Sequence, residues 1–415
     1  MTGLNRRCPH RRGGAFSRRA VLIGAGAGIL GTWPLNLPAM NTMSTLAQGA
    51  TPTAVPIEDS DSFRFATSGW ATDFSMHSVP LDEIRPGGPG KDGIAPIDSP
   101  GYESIAEADQ WLEPLEPVVS VALEGSSGPA ARAYPIQILI WHEIVNDLLG
   151  GQPVLATFCP LCNTAIAFDR RLEGEPTIYD FGTTGNLRFS DLVMWDRQTE
   201  SWWQQLTGEA IVGTLTGSRL SVIPAQILGW QTFKEQYPFG DVLSIETGFS
   251  RPYGSNPYSG YDDVNASPFL FDQQADGRLL PMERVVGVEL GVEQAAYLVG
   301  DIAEPGAIND VLDGKPVVIL LSGGSVSATD AGEIAASREV GQAGAFLREA
   351  GGQVLTFAID SSGNIVDEET ASVWSVTGRA EVGPLADTQL TAIPHVVAFW
   401  FSWAAAFPET RLWTG

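Results

Sequence analysis

Cysteine is scarce in this chain: its 415 residues hold three, Cys8, Cys159 and Cys162. Only one C-x-x-C is possible, and the four histidines (His10, His77, His142, His395) include no H-x3-H pair to complete a zinc framework. Positive charge is also short, with 24 basic against 49 acidic residues and a formal charge of −25. Six arginines (Arg6, Arg7, Arg11, Arg12, Arg18, Arg19) stand in the first 50 residues, which contain no acid, so without that segment the charge falls to −31. A body this acidic repels phosphate backbones, which removes nucleic acid as a partner. The apolar run at the N-terminus, Ala20 to Leu30, falls well short of the ~20 residues needed to cross a hydrocarbon layer of about 30 Å.

What is present describes a globular, exported protein. A hydrophobic content of 44% with 18% charged residues suits a folded chain with two or three cores. The run Ser17-Arg18-Arg19-Ala20-Val21-Leu22 follows a basic stretch and resembles a twin-arginine export signal, with small residues at Ala47 to Ala50 for cleavage. No cysteine lies there to carry a lipid. The expected product is therefore extracytoplasmic (periplasmic, cell-surface or secreted), with no transmembrane anchor after signal removal. The GAGAG inside the run follows no strand and opens no βαβ unit, so it is not a nucleotide loop. Such a compartment permits a disulfide, and export of an already folded chain permits a bound metal.

After the signal (1–50), residues 51–113 read as a linker and a loop-rich region dense in Gly and Pro. Strand-like runs dominate from Pro117, and they repeat. At a fixed offset of 163, Tyr134 matches Tyr297, Asn146-Asp147 match Asn309-Asp310, and Pro153-Val154 match Pro316-Val317. DRQTESWWQQLTGEA from Asp196 resembles DEETASVWSVTGRA from Asp367, and EPVVSV from Glu116 resembles ERVVGV from Glu283. The expected architecture is mostly β (α+β): two pseudo-repeated β-rich units, 114–225 and 281–415, packed as a double sheet or a domain pair and joined by 226–280. The second unit is an internal control. It has Ser322 and Ser325 where the first has Cys159 and Cys162, and Pro305-Gly306 for His142-Glu143, so the unit folds without thiols or imidazole.

The cysteines sit in Thr157 to Arg170, TFCPLCNTAIAFDR. Gly150-Gly151, matched by Asp313-Gly314 in the second unit, predicts a two-residue hairpin turn. Residue numbers of facing pairs then sum to 301, which sets His142 opposite Cys159 if the strand reaches back that far; IQILIWHE (136–143) can also be read as a helix. Directly opposed residues hold their Cβ atoms about 4.5–5.5 Å apart, and a protonated imidazole there would favour the thiolate. Three chemistries stay open. A C-x-x-C can cycle between dithiol and disulfide. Cys159, Cys162 and His142 with one further ligand could hold zinc or copper. The pair could also be a structural disulfide, although so short a loop removes little unfolded-state entropy.

Other candidates read more plainly. Trp195, Trp202 and Trp203, and the aromatic run beside His395, are core residues, and His77 is a loop residue. Arg197 is either a strand-end ion-pair partner or an anion contact at the site. LLSGGSVS lacks the Gly-Lys-Ser/Thr end of a phosphate loop.

WHEIVND…GGQPVLATFCPLCNTAIAFDR, FGTTGNLRFSDLVMWDRQTESWWQQLTGEAIVG, the upstream RPGGPGKDGIAPIDSP and the downstream NPYSGYDDV together resemble the DUF3179 family over nearly all of the mature chain. That family has no established function. Some members are selenoproteins with selenocysteine replacing a cysteine of this motif, so the resemblance implies redox chemistry at Cys159 and Cys162. The leading expectation is an exported thiol–disulfide or peroxide-type oxidoreductase acting on a small-molecule or protein thiol substrate. In it Cys159 attacks, Cys162 resolves, His142 stabilises the thiolate and Arg197 contacts an anion. The alternatives are a copper- or zinc-binding protein and a non-catalytic extracellular binding module. No cofactor follows from the sequence.

Overall fold

The computed structural model describes residues 63–126 and 128–415; the export-signal reading lies outside them. The fold is mostly β, and its element order recurs. In the first copy a hairpin of Pro117–Gly125 and Gly128–Pro135 runs into the helix Ile136–His142, then into a meander of Ile144–Leu149, Gln152–Cys159 and Thr164–Asp169. In the second, Arg284–Leu290 and Glu293–Leu298 lead to the helix Val299–Ala303, then to Ala307–Leu312, Lys315–Ser322 and Gln342–Leu347. A further antiparallel meander follows in each copy, Phe181–Arg188 to Glu209–Val212 and Phe357–Ile359 to Ala380–Val382.

Each copy closes alike. Ala225–Gly229, the helix Trp230–Gln236 and Asp241–Leu243 bring the chain back to the first hairpin, where Asp241 pairs in parallel with Arg132. His395–Phe399, the helix Trp400–Ala406 and Arg411–Leu412 do the same in the second copy, with Arg411 beside Ala295. Residues 226–243, read from the sequence as part of the connection, thus hold the closing elements of the first copy.

The shared residues explain why two diverged sequences fold alike. Tyr134 donates to Asp147 at 2.6 Å and Tyr297 to Asp310 at 2.8 Å. The side chain of Asn146 ties the meander to Phe181, and Asn309 ties it to Phe357. Asp196 accepts from the indole of Trp203 at 2.9 Å, and Asp367 from that of Trp374 at 2.8 Å. Each contact satisfies a buried polar group, which is what makes such residues hard to replace. Trp202 and Trp203 are fully buried and Trp195 nearly so, as expected of core residues.

The predicted turn holds. Gly150 and Gly151 have φ of 57° and 88°, Asp313 and Gly314 of 49° and 70°, the doubly positive backbone of a type I′ turn. The register holds too, from Leu149 opposite Gln152 to Ile144 opposite Thr157. It stops there. Ile136–His142 is a helix, ended by Glu143 in the left-handed region at φ 58°, so His142 does not face Cys159. A short apolar run bounded by proline fits a buried helix as well as a strand; here six of the seven residues are buried. No helix among the described residues is long and apolar enough to cross a membrane.

Candidate metal and thiol site

Cys159 ends one strand and pairs with Thr164, which starts the next. Pro160 to Asn163 form the loop between them. It is closed by a bond from the Cys162 amide to the Cys159 carbonyl at 3.3 Å and by Asn163 at φ 57°. This tight tip turns both side chains the same way, and both thiols point at the carbonyl of Ser190, at 3.8 Å and 3.5 Å. Both cysteines are free and buried.

Ser190 belongs to a second hairpin tip, between Phe181–Arg188 and Asp191–Asp196. Phe189 and Ser190 both have positive φ, 56° and 68°, where glycine or asparagine is the usual occupant. The turn brings Asp191 to the cysteines, and one ligand atom each from Cys159, Cys162 and Asp191 lies within 4.8 Å of the others. Asp191 Oδ2 accepts from the Leu206 amide at 3.0 Å, whereas the buried Oδ1 has no partner.

The second copy closes over the tip. The Phe399 amide donates to the Cys162 carbonyl at 2.9 Å, and Asn163 Nδ2 donates to the Val397 carbonyl at 2.9 Å. Tyr258 and Tyr261, from the stretch between the copies, pack against the apolar cluster that includes both cysteines. Asp262 pins that stretch, fully buried and paired with Arg284 at 2.9 Å and Arg338 at 2.8 Å.

The electrostatics are those of a negative site kept from ionising. Burial pushes the Asp191 carboxyl up to about 7. Burial and then the charge of Asp191 push the Glu143 carboxyl up to about 8. Burial, followed by Cys159 and Asp191, raises the Cys162 thiol well above its ordinary value. The Tyr258 phenol is raised by burial, then by Glu143 and Cys159; that of Tyr261 by burial and, further down, by both cysteines. Arg188, its guanidinium held by Glu83 at 2.7 Å and Gln204 at 2.6 Å, pulls Asp191 downward less than the Leu206 amide does. Carboxyls and thiols crowded in low dielectric retain protons unless a cation replaces them.

The residues expected at the site therefore divide. Cys159 and Cys162 are together. His142 is apart from them, its Nδ1 donating to the Ala95 carbonyl and its Nε2 accepting from the Tyr253 hydroxyl, each at 2.7 Å. Burial holds it below its ordinary value, in the neutral form. Arg197 binds Asp98 at 3.0 Å and Asp92 at 3.3 Å, the ion-pair reading rather than an anion contact. His77 and His395 bond to the carbonyls of Val79 and Ile393. No histidine joins the cysteine cluster among the described residues.

Asp191, Glu143, Ser190, Tyr258 and Tyr261 were not singled out from the sequence. For Glu143 a signal existed: it aligns with Gly306. Asp191 had none, because it depends on a hairpin tip folding back across about 30 residues of chain onto another.

Residues 91–410 match the family described as "Protein of unknown function (DUF3179)". No curated protein and no solved structure matches the chain.

Proposed function

We propose that this chain, which belongs to the DUF3179 family, is an extracytoplasmic protein that binds a divalent metal ion at Cys159, Cys162 and Asp191. One observation carries this reading: two free thiols and a carboxylate oxygen of Asp191 converge in a buried site, and that carboxylate holds a buried oxygen, Oδ1, without a hydrogen-bond partner. A buried polar atom without a partner is costly, and a cation supplies what the chain withholds. Thiolate and carboxylate together favour a zinc-type ion, since copper in its reduced state prefers sulfur donors alone. The ion would displace the thiol protons and hold both hairpin tips to one point. Elemental analysis of protein purified without added metal tests this. About one zinc-type ion per chain is expected, lost in the Cys159→Ser and Cys162→Ser variants; an empty wild-type protein that also takes up none on addition overturns it.

A dithiol redox couple is the second reading, favoured by the closeness of the two free thiols at the loop tip. Cys159 would attack a disulfide substrate and Cys162 would resolve the mixed disulfide. The pair would be oxidised to a disulfide while the substrate was reduced to two thiols. The burial of both sulfurs and the raised proton affinity of Cys162 weigh against it, because the attacking species is an accessible thiolate. A midpoint potential above about −250 mV for metal-free protein would support a labile couple, and one below roughly −300 mV would end it.

A further inference from the structure

We infer that Glu143 is the fourth ligand of this centre, completing a set of two thiolates and two carboxylates for a zinc-type ion. The inference rests on the metal reading above.

The repeat provides the comparison. The Glu143 amide donates to the Leu139 carbonyl at 2.7 Å and its carbonyl accepts from the Phe158 amide at 2.9 Å. In the second copy the Gly306 amide donates to the Ile302 carbonyl at 2.7 Å and its carbonyl accepts from the Leu321 amide at 2.9 Å. Both residues are in the left-handed region, at φ 58° and 64°; Glu143 caps its helix, and Gly306 follows the end of Val299–Ala303 by three residues. The backbone requirement is thus the same in both copies, and glycine meets it without strain. The first copy instead places there a glutamate, an unfavourable residue for that backbone. Its side chain is largely buried, and no hydrogen-bond donor among the described residues reaches its carboxyl. A strained, largely buried acid at a glycine position is a feature that function retains and stability does not.

Its position fits the role. The Glu143 carbonyl is bonded to the residue before Cys159, so the backbone carries it alongside the cysteine tip. Glu143 is not among the three groups already within 4.8 Å of one another, so its carboxyl would have to move toward them for the ion to become four-coordinate. A fourth donor, this carboxylate oxygen, gives the four-coordinate arrangement that closed zinc sites adopt.

The test is zinc affinity of reduced, metal-free protein, by competition with a chromophoric chelator, for wild type, Glu143→Gln, Glu143→Gly and Cys159→Ser. The expected result is tight binding by wild type, a loss of at least tenfold in both Glu143 variants, and no binding by Cys159→Ser. Urea unfolding of Glu143→Gly confirms that the variant is folded. Wild-type binding with both Glu143 variants within threefold of it overturns the fourth-ligand assignment and leaves the three-residue centre standing. Failure of wild type to bind overturns both.

Discussion

Replacing Glu143 by glycine should stabilise the metal-free protein, although the residue is buried. The left-handed backbone at φ 58° costs a non-glycine residue about 1–2 kcal/mol. Burial of the carboxyl, which raises its proton affinity, costs about 1–3 kcal/mol, which the variant also recovers. Against this, two methylenes leave the core at about 0.8 kcal/mol each, and glycine adds about 0.5–1 kcal/mol of unfolded-state entropy. The balance is a gain of about 1 kcal/mol, or about 2 °C in midpoint for a chain of this size. Urea and thermal unfolding in the presence of a chelator at pH 5.5 measure it. Gly306 already shows that glycine fits this backbone position. A loss of more than 1 kcal/mol, restored by Glu143→Gln, would show that Glu143 is a packing residue and refute the argument from strain.

Other expectations follow from the same contacts. Glu143 and Asp191 have folded-state carboxyl values raised to about 8 and 7, so between their unfolded values and these the folded chain binds more protons than the unfolded one. Metal-free stability is then full below about pH 4 and is lost as pH rises toward 8, by at most about 1.4 kcal/mol per pH unit for each acid; a urea midpoint no lower at pH 8.5 than at 5.5 would contradict this. Asp262→Ala leaves buried Arg284 without its partner and should cost about 3–5 kcal/mol, which equilibrium unfolding would detect. The Cys159→Ser/Cys162→Ser double variant should still unfold cooperatively, losing about 2–6 kcal/mol for two buried hydroxyls at about 1–3 each; the second copy folds with Ser322 at the strand end that matches Cys159. A variant that fails to fold would make the thiols structural.

The fold was legible where local rules decide it. The repeat, the Gly150-Gly151 turn and the register from Ile144 to Leu149 follow from pattern and turn chemistry. The helix at Ile136–His142 was not settled, because a seven-residue apolar run has no decisive period, and with it went the facing of His142 and Cys159. The site was half legible. Cys159 and Cys162 announce themselves by spacing, whereas Asp191, Tyr258 and Tyr261 arrive through tertiary packing of separate segments. Glu143 stood beside a histidine that drew the attention, yet the glycine at its repeat position marked it as the residue with an unexplained side chain.

The most direct measurement is a cobalt(II) titration of reduced, metal-free protein, followed by near-ultraviolet absorption. The account predicts a thiolate-to-cobalt charge-transfer band that saturates at one ion per chain, is displaced by zinc, and is absent from the Cys159→Ser/Cys162→Ser variant. A fully reduced, folded protein that develops no such band would contradict the metal centre.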